Sequence, residues 1–129
     1  MTVTRKLVTI SLPAAADLSA LQFTEVYMPP GAGDGLAATA TATTDKPLGI
    51  LLNKPAAAGR AAEVAIEGSV CKMVAGGTVD EGDEIMWGTG SKGIVLSGTA
   101  VWTIGTALTP AASGEIFEIL VSPNYVPVS

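Results

Sequence analysis

Histidine is absent from the 129 residues of this sequence, and cysteine occurs once, as Cys71. Without histidine, the chain has no Ser-His-Asp or Cys-His catalytic centre and no metal site built on imidazole nitrogens. With one cysteine, it forms no internal disulfide, no CxxC redox pair and no four-cysteine zinc site. We expect Cys71 to be a small buried apolar residue of a protein made in a reducing cytoplasm. These absences favour a structural or binding protein without a cofactor over an enzyme.

Charged and aromatic side chains are also scarce, at 15% and 5% of the sequence. The net charge of −5 disfavours nucleic acid as a partner, because binding phosphates requires a basic patch. No apolar run approaches the roughly 18 residues of a membrane-spanning helix, so we expect no membrane partner. A surface poor in charge and rich in small residues suits a protein that packs against other proteins.

What the sequence does contain is a series of short segments with β propensity, separated by turns rich in glycine and proline. This pattern predicts an all-β fold, and the chain length predicts one domain around one core. The alternation of Val8, Ile10 and Leu12 with polar residues predicts a strand over residues 2–12 that ends at Pro13. The next expected segments are a helical turn over residues 14–20, a strand over residues 21–28, a loop over residues 29–35 and a strand over residues 38–43.

The N-terminus also partly matches a secretion signal. Arg5 and Lys6 precede a short apolar segment, and Ala14–Ala16 follow it. Polar residues and Pro13 interrupt the apolar segment, which favours a chain that keeps its N-terminus.

Two segments, residues 48–68 and 104–121, repeat one pattern. Each contains a strand with an internal glycine, a Pro-Ala-Ala-x-Gly turn and a second strand. Proline fixes φ at the start of such a turn, and glycine supplies the positive φ that closes it. The repetition predicts two similar hairpins within one compact β fold rather than a solenoid.

Three features could carry chemistry, and each has a simpler interpretation. The cluster of Asp80, Glu81, Asp83 and Glu84 lacks the spacing of a calcium loop, so a solvated turn is favoured over weak calcium binding or a glycosidase pair. The sequence Cys71-Lys72-Met73 is similar to the Met-Lys-Met of biotin carrier domains, but here the Gly-Asp segment follows Lys72 instead of preceding it. The glycine-rich stretch 88–93 lacks phosphate-loop spacing and indicates a hairpin turn.

The order of these motifs resembles the capsid decoration, or cement, proteins of tailed bacteriophages with a β-tulip-type domain. The motifs are Gly49 within a strand, Ala57-Ala58-Gly59, Gly68 at a strand end, the Ala-Gly-Gly turn at 75–77, Glu81-Gly82-Asp83, the glycine turn at 90–93, Ile104-Gly105 and Ala112-Ser113-Gly114-Glu115. The resemblance covers roughly residues 36–121.

The resemblance implies a small β-barrel or β-tulip-like domain, no enzyme activity and no cofactor. It also implies a place on the outer face of a phage capsid, with the major capsid protein and further copies of the chain, as a homotrimer, as partners. We expect residues 1–18 to form an extended N-terminal arm, residues 19–123 the β-rich domain and residues 124–129 a short tail.

Candidate contact residues follow from this arrangement. Residues 2–12 are predicted to add a strand to a sheet edge on a neighbour, through Val3, Arg5, Lys6, Val8 and Ile10. The large side chains Trp87, Trp102 and Tyr125 are predicted to pack between subunits, with the core as the other possible place for the two tryptophans. The alternative function is a soluble β module that binds carbohydrate or a host surface, which a flat platform of exposed aromatic rings would favour.

Overall fold

The computed structural model describes residues 6–31, 35–40 and 42–128. Their strands are β1 (Thr9–Pro13), β2 (Glu25–Tyr27), β3 (Pro47–Leu51), β4 (Ala61–Ala65), β5 (Val70–Val74), β6 (Glu84–Trp87), β7 (Gly93–Val95), β8 (Val101–Ala107) and β9 (Ile116–Val126). The only helical element in this part of the chain is a 3₁₀ turn at Thr89–Ser91. The predicted all-β class is therefore confirmed.

The strands form two antiparallel sheets, ordered β1-β4-β3-β2 and β5-β9-β8-β6-β7. In the first sheet, single bridges join Tyr27 to Ala38 and Ala37 back to Ala14. In the second sheet, a bridge from Ala75 to Gly93 joins β5 to β7 in the same way. Each sheet thus curls until its two edges meet.

The two sheets have the same topology and the same register, so the chain contains two copies of one unit. The first unit comprises β1–β4 with Ala37 and Ala38, and the second unit comprises β5–β9. Within them, β1 pairs with β4 from Thr9↔Ala65 to Pro13↔Ala61, as β5 pairs with β9 from Val70↔Leu120 to Val74↔Ile116. The repetition predicted for residues 48–68 and 104–121 therefore extends over nearly the whole described chain.

The glycines of the repeated pattern explain why both hairpins form. Gly59 and Gly114 have φ of +86° and +88° in the two turns, a conformation that favours glycine. At Gly49 and Gly105 the partner strand approaches closely, and a Cβ would overlap the carbonyl oxygen of Ala65 or Leu120. The same local geometry is thus encoded twice.

Two clusters of buried side chains fill the molecule, where the sequence predicted one core. The first unit encloses residues such as Leu18, Val26 and Val64. The larger cluster lies inside the second unit and also includes Ile50 and Ala65 from the outer side of the first unit. These two side chains are fully buried because the units pack against each other.

Several predicted elements differ from the structure. Residues 14–20 form no helical turn, because Ala14 and Leu18 are tied to the turn of the first hairpin by backbone hydrogen bonds to Arg60 and Pro55. The predicted strand over residues 21–28 shortens to β2. In place of the strand predicted over residues 38–43, Ala37 and Ala38 alone among the described residues 37–40 and 42–43 make ladder contacts, each in a single bridge.

The predicted limits of the arm and the tail also need correction. Residues 9–13 of the expected arm form β1 within the chain's own sheet, and Leu18 is buried in its core. Residues 9–12 therefore pair with β4 along one edge of β1, and their pairing with a neighbouring subunit stays a prediction. Residues 124–126 of the expected tail continue β9, where they pair with Val101–Thr103 of β8.

Candidate functional site

The predicted contact residues near the N-terminus lie where the two units join. Val3 and Arg5 are outside the described residues; Lys6 is exposed, and Val8 and Ile10 are half-buried. The backbone of Val8 is bonded twice to the Ser69 hydroxyl, its N–H donating at 2.8 Å and its carbonyl accepting at 2.8 Å. The carbonyl of Lys6 accepts from the Val70 N–H at 2.7 Å. The chain is thus anchored from Lys6 onward to the segment that connects the units.

A groove of about 450 Å³ runs beside β1, between the first unit and the ends of β8 and β9. Its lining is mainly apolar and consists of Ile10, Lys46, Pro47, Leu48, Ile66, Glu67, Trp102 and Pro123. The groove brings the predicted contact residue Ile10 together with the predicted packing residue Trp102, which are far apart in sequence.

An aromatic pair stands at this groove. Trp102 and Tyr125 lie opposite each other on β8 and β9, with ring centroids 5.4 Å apart and an interplanar angle of 61°. The Lys46 ammonium lies 5.9 Å from the centre of the Trp102 ring, within range of a cation–π contact. Tyr125 is 43% exposed. The edge-to-face arrangement gives a ridge and not the flat platform on which sugar rings stack.

Trp87 lies elsewhere, and its burial corrects one prediction. Its side chain is 2% exposed within the larger core cluster, so it fills the core and is not available to a neighbouring subunit. The ring also borders a second cleft of about 430 Å³, between Leu21, Thr39 and Ala40 of the first unit and residues 88–91 of the second. Its indole N–H has no hydrogen-bond partner among the described residues.

The structure also places Cys71, Lys72 and the acidic cluster, the features to which the sequence could assign chemistry. Cys71 is buried, as predicted, and burial raises the pKa of its thiol to about 12. Asp80 and Asp83 form a tight turn, in which the Asp83 N–H donates to the Asp80 carbonyl and the Asp83 carboxylate accepts from the Asp80 N–H. Lys72 is exposed in the middle of β5, not at a hairpin tip.

Within residues 6–31, 35–40 and 42–128, no three His, Cys, Asp or Glu side chains come together around a possible ion. No helix in the same ranges has the length and apolarity to cross a membrane.

One unusual group, the Glu25 carboxyl, has no recognisable signal in the sequence. Glu25 is fully buried on the outer side of β2, and neither of its oxygens has a hydrogen-bond partner among the described residues. Burial raises the pKa of this carboxyl from 4.5 to about 8. The nearby Ala40 backbone N–H partly offsets this increase in pKa, although it does not meet the geometry of a hydrogen bond. The negative charge of the Asp45 carboxylate adds to the increase.

Comparison with known proteins gives two positive findings. Residues 4–123 match the family described as phage cement protein. The fold is similar to that of the crystal structure of the head fiber gp8.5 N base in bacteriophage phi29, with a TM-score of 0.67 and 15% sequence identity, over 96% of this chain and 99% of that one. No curated protein matches the chain.

Proposed function

Because the chain belongs to the phage cement protein family, a family of structural virion proteins and not of enzymes, we propose that it binds the outer face of an icosahedral phage capsid and stabilises the shell. The observation that carries this proposal is the family match over residues 4–123, which spans nearly the whole chain. The partners are the major capsid protein and further copies of the chain, assembled as a homotrimer. The proposal involves no nucleic acid, membrane or cofactor.

Cementing of this kind is a binding equilibrium. A protein that binds the assembled shell but not free capsid subunits shifts the equilibrium towards the intact shell. Three linked binding sites in a trimer raise the effective concentration of each site once the first is occupied. Modest free energy per contact then becomes a large stabilisation of the whole particle.

The groove beside β1 is the surface we assign to the capsid. It combines a mainly apolar lining with the Lys46 side chain and with Trp102, whose ring contacts the exposed Tyr125. Aromatic side chains are enriched where protein surfaces bind one another. We retain the predicted arm only for the residues before Lys6, including Val3 and Arg5, because the chain is anchored to its own fold from Lys6 onward.

Binding of carbohydrate or a host surface is the second candidate function. It would be favoured by a flat aromatic platform, and the Trp102–Tyr125 pair is instead edge-to-face. Trp87, the other large ring, is buried. The arrangement of aromatic residues therefore supports the capsid proposal over this alternative.

Cosedimentation with capsids of the encoding phage, prepared without this protein, tests the proposal. The wild-type chain should sediment with the capsids at saturable stoichiometry and raise the temperature at which they open. The double variant Trp102→Ala, Tyr125→Ala should bind at least ~10-fold more weakly, since aromatic anchors dominate such interfaces. Val95→Ala, which truncates a similarly exposed side chain outside the groove, is the matched control and should bind normally.

A deletion of residues 2–5 separates the arm from the groove. Loss of capsid binding on this deletion, with an unchanged melting temperature of the free protein, supports a role for the arm. No cosedimentation of the wild-type chain at any concentration would overturn the capsid proposal, and binding to host cells or glycans in its place would establish the alternative.

A further inference from the structure

Strand β1 has backbone groups that point away from its own sheet. It is the end strand of the first sheet, and its register places Ser11 opposite Glu63. The Glu63 N–H donates to the Asn53 amide oxygen and the Glu63 carbonyl accepts from the Leu52 N–H, so both groups point towards β3. In such an antiparallel pair the opposed residue points the other way, so the N–H and C=O of Ser11 face away from β4. Those of Thr9, two residues earlier, do the same.

The described residues leave these backbone groups unpaired. Ala37 closes the sheet against β1 only from Pro13 onward, since its N–H donates to the Pro13 carbonyl and its carbonyl accepts from the Ala15 N–H, each at 2.9 Å. Pro13 has no N–H with which to continue this ladder towards Ser11. Thr9 and Ser11 are exposed, and no described residue bonds to the outward N–H or C=O of either. We call these four groups the β1 edge.

The second unit shows that this edge can bind an added backbone. Thr9 corresponds by register to Val70 of β5. The Val70 N–H donates to the Lys6 carbonyl at 2.7 Å, and at the other end of β5 the Val74 N–H donates to the Phe23 carbonyl at 2.9 Å. Backbone from outside the second unit thus occupies the edge of β5, whereas the β1 edge has no such partner among the described residues.

The β1 edge lacks most of the features that keep a strand edge from binding another strand. Native proteins protect such edges with charged side chains, proline or a covering segment. Thr9–Pro13 contains no charged residue, and its proline lies at the far end. The edge also adjoins the groove beside β1, because the side chain of Ile10, between Thr9 and Ser11, lines that groove. Every second side chain of an added strand would lie on the same side of the sheet as Ile10. Edge and groove therefore form one continuous surface.

We propose that an extended segment of the major capsid protein adds to the β1 edge as a further strand. The proposal rests on the capsid binding of the proposed function, and it names how the partner is held. Main-chain hydrogen bonds to Thr9 and Ser11 supply affinity, and alternate side chains in the groove supply specificity. The continuity of edge and groove argues for the capsid protein as the occupant, since the groove is the surface assigned to the capsid.

The first test removes a donor of the edge. Ser11→Pro eliminates one outward N–H, and proline is tolerated in an edge strand when its nitrogen faces outward. Ser11→Ala, which keeps the N–H, is the matched control, and the two free proteins should melt at similar temperatures. In capsid cosedimentation, Ser11→Ala should bind as the wild type does, and Ser11→Pro should bind at least ~10-fold more weakly. Normal binding by a folded Ser11→Pro would overturn the proposal.

Hydrogen exchange of the wild-type chain gives the result without a substitution. The Thr9 and Ser11 amides should exchange quickly in the free chain and slowly on the capsid. The Ile10 and Leu12 amides, which face β4, should exchange slowly in both states. Slow exchange of Thr9 and Ser11 in the free chain would mean that the edge already has another occupant, a second copy where the protection rises with concentration, and would refute the capsid protein as its partner.

The same experiments distinguish failure of this inference from failure of the proposed function. A wild-type chain that binds capsids without slower exchange at Thr9 and Ser11 would keep the capsid function and refute strand addition. A wild-type chain that does not bind capsids at any concentration would refute both.

Discussion

The two units of the chain share a backbone but use their outer sides differently. Strand order, register and the two hairpin turns are the same in both. The first unit buries Glu25, Ile50 and Ala65 on its outer side, and Ile50 and Ala65 belong to the core cluster of the second unit. At the corresponding positions the second unit has Glu84 and Leu120 exposed and Thr106 half-buried.

This comparison separates the residues that specify the fold from those that specify contacts. Glycine occupies both positions of the shared close approach, Gly49 and Gly105, and both hairpin turns, Gly59 and Gly114. Outward positions on the strands have diverged in size and polarity, because the ladder hydrogen bonds do not depend on them. The duplicated backbone thus provides two equivalent surfaces with different side chains.

The largest expected effect comes from adding a methyl group at Gly49 or Gly105, the equivalent positions at which the partner strand comes closest in each unit. Gly49→Ala and Gly105→Ala each place a Cβ on a carbonyl oxygen of the partner strand, so the strands must separate and lose ladder bonds. We expect each variant to lose about 4 kcal/mol or more of unfolding free energy. Urea unfolding measures this loss, with circular dichroism following both units and tryptophan fluorescence following the second, which contains Trp87 and Trp102.

Gly77→Ala is the matched control for these two variants. A Cβ at Gly77 has its nearest neighbour 4.0 Å away, and its φ is not positive. We expect a change within ~0.5 kcal/mol. If Gly49→Ala and Gly105→Ala were as mild as this control, the two hairpins would not depend on close backbone approach.

How much of the fold can be predicted from the sequence depends on the same distinction between residues that set the backbone and residues that make contacts. Proline and glycine made the two hairpins visible in the sequence, because their backbone restrictions are local. The rest of the duplication was not visible, since Phe23 and Gly82 occupy one backbone position, with φ of +66° and +90°, and have nothing else in common. The alternation in residues 38–43 predicted a strand, but alternation reports β propensity and not the presence of a partner strand.

The candidate site was predictable to a similar extent. The sequence singled out Ile10, Trp102 and Tyr125. The structure brings Ile10 and Trp102 to one groove, and Tyr125 packs against Trp102 beside it. It could not separate Trp102 from Trp87, because burial of a tryptophan depends on contacts distant in sequence. The exposure of Ile116 and Leu120 was missed for a related reason: an apolar residue in a strand indicates the core unless the topology shows which side it faces.

A second test uses the buried carboxyl that distinguishes the units. The folded pKa of Glu25 is about 8 and its ordinary value is 4.5, so between these values the folded chain holds a proton that the unfolded chain has released. The contribution of Glu25 to stability is therefore greatest below pH 4.5 and falls as pH rises to about 8. Glu25→Gln removes this dependence. We expect its stability relative to wild type to increase by ~2 kcal/mol from pH 5.5 to 7.0.

Glu84→Gln provides the control, because Glu84 occupies the corresponding position of the second unit and is exposed. Its stability relative to wild type should not change over the same pH range. Parallel pH profiles for the Glu25 and Glu84 variants, measured by urea unfolding, would mean that the Glu25 carboxyl is not buried in the folded chain.

The smallest expected effect concerns a side-chain hydrogen bond that both units make with different residues. The Asn53 amide oxygen accepts from the Glu63 N–H, and the Thr109 hydroxyl accepts from the Glu118 N–H, each at 2.9 Å. Asn53→Ala and Thr109→Ala should each cost about 0.5–1 kcal/mol, the usual worth of one hydrogen bond. Asn53 also donates to the Ala61 carbonyl at 3.0 Å, so Asn53→Ala should lose more stability than Thr109→Ala.

Exchanging the two residues tests whether the positions are equivalent in function as well as in register. Thr109→Asn should retain nearly all of the stability, because an amide oxygen at this place can accept from the Glu118 N–H. The stability of Asn53→Thr should lie between those of wild type and Asn53→Ala. A threonine hydroxyl can accept from the Glu63 N–H, but it lacks the amide NH₂ group that donates to the Ala61 carbonyl. Exchange variants as unstable as the alanine variants in thermal unfolding would show that each unit has adapted this position to its own surroundings, and the equivalence would then hold for the backbone alone.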